Sequence, residues 1–204
     1  MEKPSLTHTW SVFYTEGDEQ DNYAMYTYVL VGNRLSDQSL QQRYSTLLDA
    51  IFGTTLSIHQ ISESIPIDEQ NIFYFPINEG GIPDKNNYNF ELSKNILNKL
   101  SRAIEEEQSR FANNPGPFLV TSVEKLSDKD PNSEFCIIFT DFSDKNPAVI
   151  HHITARYQIK VSKNNNTSCI EQFEDFFAKI ILNPAANAND YIKLVHAEAK
   201  ELIY

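Results

Sequence analysis

Asp141 and Asp144 follow the apolar run EFCIIFT (134–140), and the adjacent histidines His151 and His152 stand a little further on. A carboxylate and an imidazole within hydrogen-bond reach can exchange a proton, and either can act as a general base or bind a cation. The run reads as a strand, so the aspartates lie just past its C-terminal end, where α/β sheets place their ligands. These four residues form the candidate catalytic set. The chemistry they suggest is hydrolase-type, with one aspartate working with one histidine.

Folding competes for the same residues. Asp141, Ser143 and Asp144 suit the turn between a strand and a helix. Asn146 is a good N-cap and Pro147 suits the first helical position, which predicts a helix from Pro147 with Val149, Ile150, Ile153 and Tyr157 inward. The stretch ITARYQIKV (153–161) also alternates as a strand would. The histidines diverge under both assignments: about 100° apart on a helix, on opposite faces of a strand. The i+4 positions that would complete a helical metal pair hold Ala155 and Arg156. No joint two-histidine site is expected.

A second candidate is SDKDPNSEF (127–135). Asp128, Asp130, Asn132 and Glu134 alternate like the first half of a calcium loop. Ser133 stands where a glycine should allow the sharp turn, and Phe139 where a bidentate acid should close the site. The plain reading is an acidic hairpin tip. The aromatics of YAMYTYVLVG (23–32) and NIFYFPI (71–77) suit either a core or a groove for sugars and flat ligands. No dinucleotide, P-loop, nucleophile-elbow or zinc-protease signature is present, and no cofactor is expected.

Bulk properties narrow the partners. The chain has 204 residues, which suits one domain, and its net charge of −11 opposes phosphate backbones and anionic membranes. No stretch approaches the roughly 20 apolar residues of a membrane span. The first residues lack the apolar core of a signal peptide, so a cytoplasmic protein is the default and an exported mature form is the alternative. Cys136 and Cys169 are the only cysteines. Cys136, inside an apolar run, reads as a small core thiol, and a bridge to Cys169 is expected only in an exported protein. Asn165 and Asn166 begin glycosylation patterns that matter only in a eukaryotic secreted protein.

The elements that must position these groups alternate. Strands are predicted at 10–14, 23–32, 71–77, 118–123 and 134–140, the last two as an antiparallel hairpin. One helix is predicted over 36–53, capped by Ser36 and ended by a left-handed Gly53, and another over 90–111. Two more are predicted in IEQFEDFFAKIIL (170–182) and ANDYIKLVHAEAKELI (188–203). The expected fold is α/β, or α+β: a mixed sheet of four to five strands flanked by helices. Residues 1–163 form the domain, and 164–204 a helical C-terminal segment packed on it. The expected function is a non-enzymatic protein-binding or scaffold domain, with the Asp/His enzyme and the aromatic-groove binder as alternatives.

Overall fold

The computed structural model describes residues 6–61, 65–133, 135–163 and 192–197. Its strands are β1 (Thr7–Phe13), β2 (Met25–Leu30), β3 (Leu56–Ser57), β4 (Gln70–Pro76), β5 (Phe118–Ser122), β6 (Phe135–Asp141) and β7 (Ile192–Ala197). They form one mixed sheet in the order β3-β1-β4-β2-β5-β6-β7. The β3, β1, β4 and β2 side is parallel, whereas β5, β6 and β7 are added antiparallel. Helices α1 (Gln38–Phe52) and α4 (Pro147–Lys163) cover one face, and α2 (Phe90–Ala103) and α3 (Gln108–Asn113) the other. The fold is the predicted α/β architecture.

Every residue of β2 and of β4 is buried. That explains their largely apolar and aromatic character, because a central strand is covered on both faces. Met25 and Val29 of β2 pack toward α1 and α4, while Tyr26, Tyr28 and Leu30 pack toward α2 and α3. Helix α1 is capped one residue later than expected: Asp37 Oδ1 accepts the Leu40 N–H at 2.9 Å. Gly53 ends it in a right-handed conformation (φ −68°), so the predicted left-handed stop is absent.

Two further expectations are corrected, and one short strand is added. The helix predicted over 90–111 breaks at Ile104, whose backbone is extended (φ −113°, ψ 90°). The break lets Ile104 and Phe111 reach the same core, a detail that apolar periodicity cannot register. The connection after α1 supplies the two-residue edge strand β3. Within the predicted helix over 188–203, Ile192–Ala197 forms β7 instead, antiparallel to β6. The open edge of β6 offers a backbone ladder, a long-range partner that overrides local helical spacing. Residues 192–197 therefore belong to the sheet. The predicted helix at 170–182 and the patterns at Asn165 and Asn166 lie outside the described residues.

A polar row crosses the centre of the sheet on the α1/α4 side. Asn71 Nδ2 donates to His8 Nδ1 (3.2 Å), and Thr27 donates to Asn71 Oδ1 (2.9 Å). The Thr27 and Thr121 hydroxyls are 2.6 Å apart, and Thr121 meets Tyr157 at 2.8 Å. Tyr157 donates to the Ile138 carbonyl (2.7 Å). The row links β1, β4, β2, β5, α4 and β6. On the other face, residues 14–24 return from the end of β1 to the start of β2. Within them Glu19 is buried, and its carboxylate accepts from Tyr28 (2.9 Å), Ser127 (2.6 Å) and the Gly17 N–H (3.1 Å).

Thr121→Val keeps the volume but removes the shared hydroxyl, so it should cost about 1–2 kcal/mol; urea unfolding with an unchanged slope would measure it. Burial lowers the His8 pKa from 6.5 to about 4, against a hydrogen bond to the Gln158 backbone that raises it. The folded state therefore holds His8 neutral, whereas the unfolded chain takes up the proton more readily. Its contribution is complete above pH 6.5 and should be lost as pH falls toward 4, by on the order of 2–3 kcal/mol. Subtracting the stability curve of His8→Gln from that of the wild type isolates this part; parallel curves between pH 7 and 4 would contradict it.

Candidate functional site

Asp141 ends β6, at the same end of the sheet as the C-termini of β2 and β4, as expected from the sequence. Its side chain is 7 % exposed and fully engaged. Oδ2 accepts from Asn114 Nδ2 (2.6 Å), and Oδ1 accepts from the Ser143 N–H (2.9 Å) and hydroxyl. The Ser143 hydroxyl oxygen in turn accepts the Gly116 N–H (2.8 Å), and the Pro117 carbonyl accepts the Phe142 N–H (2.9 Å). Asp141 thus clamps the turn before α4 to the connection between α3 and β5. That connection approaches β2 closely: a Cβ on Gly32 would lie 2.1 Å from the Asn114 carbonyl oxygen. Gly116 occupies a positive φ of 78°, which a residue with a side chain rarely adopts.

The other candidates are dispersed. Asp144 is exposed and ion-paired to Lys145, which holds its carboxyl below the usual range. His151 and His152 are both exposed on α4. Among the described residues, no hydrogen bond or ion pair joins either aspartate to either histidine. In the acidic hairpin tip, Asp128 is bridged to Lys125 (3.2 Å). Asp130 Oδ1 accepts from the Asn132 N–H (2.8 Å) and from its Nδ2 (3.1 Å). Glu134 lies outside the described residues, and no group of three or more His, Cys, Asp or Glu is placed to hold a metal among the described ones. The tyrosines at 26, 28 and 74 are buried, with Tyr26 and Tyr74 stacked at 6.4 Å, so these rings build core rather than line a groove.

The histidines belong to a different feature, the outer face of α4. Asn146 caps the helix by accepting the Ala148 N–H (2.9 Å), as the sequence predicts. Ile150, Ile153, Tyr157 and Val161 pack on α1 and the sheet. Val149, expected to point inward, is 41 % exposed, and Ile159 is 56 % exposed. At 100° per residue, Ala148, His152, Ala155 and Ile159 fall along the middle of the outward arc. His151 borders them on one side, and Arg156 and Val149 on the other. The 17-residue helix contains no acid, although the chain has 28. A helix with apolar residues on both sides is suited to being covered on both. The missed residues are Ala148, Val149, Ala155, Arg156 and Ile159. The signal available was the absence of acid from a helix that carries aliphatic residues on its outer as well as its inner side.

Cys136 is partly buried against the α1/α4-side core, as its apolar surroundings predict, and it is disulfide-bonded, the alternative tied to an exported protein. Cys169 lies outside the described residues. No helix among the described residues is long and apolar enough to cross a membrane.

If Asp141 is a clamp, Asp141→Ala should lower stability by about 3 kcal/mol, because the Asn114 and Ser143 donors lose a charged acceptor. The loss should appear as a lower unfolding midpoint in urea; an unchanged midpoint would contradict the clamp. No family model matches the chain, and neither the curated proteins nor the solved structures contain a significant match.

Proposed function

We propose that this chain is a non-enzymatic binding domain that docks an acidic partner protein on the outer face of α4. The observation that carries the reading is the composition of that face. Its middle holds Ala148, His152, Ala155 and Ile159, its border supplies Arg156, and no acid occurs in the helix. Small alanines allow a second helix or strand to approach closely, and the exposed Ile159 and Val149 gain by leaving water. Arginine at the border of an apolar centre is a common anchor in protein interfaces. The field of a chain at −11 makes this acid-free face a local exception, to which an acidic surface is complementary.

Among the described residues the catalytic alternative lacks a convergent acid–imidazole pair, and the aromatic-groove alternative lacks exposed rings on β2 and β4. A disulfide at Cys136 fits an oxidising compartment better than the cytosol, so an exported mature form is the setting that goes with this reading.

Ile159→Glu places a charge in the middle of the face, and Gln42→Glu makes a comparable change on the exposed side of α1. Quantitative affinity capture from a whole-cell extract should yield an acidic protein with the wild type and with Gln42→Glu. Ile159→Glu should reduce its recovery by about tenfold, the effect of losing a single buried anchor. Equal recovery by all three proteins, or no specific capture, would rule the reading out. So would a homodimer in sedimentation velocity that Ile159→Glu dissolves, since a second copy would then occupy the face.

A further inference from the structure

A crevice opens at the C-terminal ends of β2 and β4. These strands are neighbours, yet β2 leads into α1 on one face and β4 leads into α2 on the other. Chain departures to opposite faces from adjacent parallel strands leave a gap, and such switch points are where open α/β sheets hold ligands. The gap has a volume of about 230 Å³ and is lined by Arg34, Leu35, Ser36, Lys85, Tyr88 and Phe90. A second hollow of about 310 Å³ lies beyond Lys85, between the same loop and α1.

The walls are built to stay in place. The loop over 78–88 is closed at its base by the Ile77–Tyr88 bridge and by Asn78, which donates to Asn87 O (2.8 Å) and Tyr88 O (3.1 Å). Asp84 Oδ1 accepts the Asn86 and Asn87 N–H groups (2.6 and 3.0 Å), which lowers its pKa. Tyr88 is buried edge-on against Tyr44, with ring centroids 5.1 Å apart.

The acids around the crevice are already engaged: Asp84 with its own loop, Asp37 with the Leu40 N–H, and Glu91 with Arg34 at 2.7 Å. Lys85 is exposed and has no hydrogen bond or ion pair among the described residues. The Arg34–Glu91 pair is about 70 % exposed on both sides (73 % and 71 %), so solvent screens it and little is lost on exchange for another anion. The Arg34 guanidinium lies 5.2 Å from the centre of the Phe90 ring, which leaves its planar fork beside an apolar wall.

We infer that this crevice binds a small organic anion, with Lys85 and Arg34 holding a carboxylate or phosphate and Leu35 and Phe90 contacting a flat apolar body. The chain's net charge opposes approach from a distance, so recognition rests on these short-range contacts. The test is an NMR titration of the full chain with benzoate, phenyl phosphate and the neutral benzamide. One or both anions should shift the amides of residues 34–36 and 85–90 saturably, and their relative affinities separate a carboxylate ligand from a phosphate one. Benzamide should leave those amides in place. Lys85→Ala and Arg34→Ala, both at exposed positions, should each weaken binding roughly tenfold, as loss of a charge-assisted hydrogen bond does, while Lys129→Ala should not. Equal response to benzamide, saturable shifts only at other residues, unchanged affinity in both variants, or no saturation with either anion would overturn the assignment.

Discussion

The row of polar side chains from His8 to Tyr157 ties together the register of the four central strands β1, β4, β2 and β5. A hydroxyl or amide buried without a partner is costly, so each member holds its neighbour in place. Thr27 faces Thr121 across the antiparallel β2–β5 pair, and His8 faces Asn71 across the parallel β1–β4 pair. A slip of one residue in any of these four strands would turn one of these groups into the opposite, apolar core. Tyr157 extends the same constraint to α4, whose position on the sheet follows from its bond to the Ile138 carbonyl.

The opposite face solves a different problem. The connection over 14–24 has no helix of its own, so its backbone polar groups must find partners against the sheet. Glu19 gathers the hydroxyls of Tyr28 and Ser127, and Tyr74 donates nothing into this loop but accepts the Gln20 N–H at 2.7 Å. Burial raises the pKa of both Tyr28 and Tyr74, so their hydroxyls stay protonated alongside the carboxylate. The richness in tyrosine that suggested a ligand groove is thereby explained by a loop that needs hydroxyl partners inside a core.

Asp141 carries the same lesson into the candidate site. A carboxylate at the end of a strand can meet a substrate or can receive the donors of nearby turns. Here Asn114 and Ser143 take up its oxygens, and the histidines on α4 point to solvent. What those histidines share is not a proton relay but a helix face with small and aliphatic neighbours and no acid. The crevice at the ends of β2 and β4 lies at the same end of the sheet and depends on topology: it exists because two adjacent strands send their chains to opposite faces.

Local patterns in the chain determined the central elements. The largely apolar, aromatic runs of β2 and β4 required strands covered on both faces, the spacing of Leu40, Tyr44 and Leu47 required an amphipathic helix, and Asn146-Pro147 marked the start of α4. These signals are short-range, depending on solvation and backbone preference within a few residues. Tertiary structure decided what depends on distant partners. The free edge of β6 made Ile192–Ala197 a strand, and the shared core of Ile104 and Phe111 broke a helix in two. Asn114, remote in sequence, made Asp141 a clamp, and the order of the strands opened the crevice beside Lys85. Pairing, burial and charge neutralisation between residues far apart in the chain have no periodicity to read, and here they settle which polar groups remain available for function.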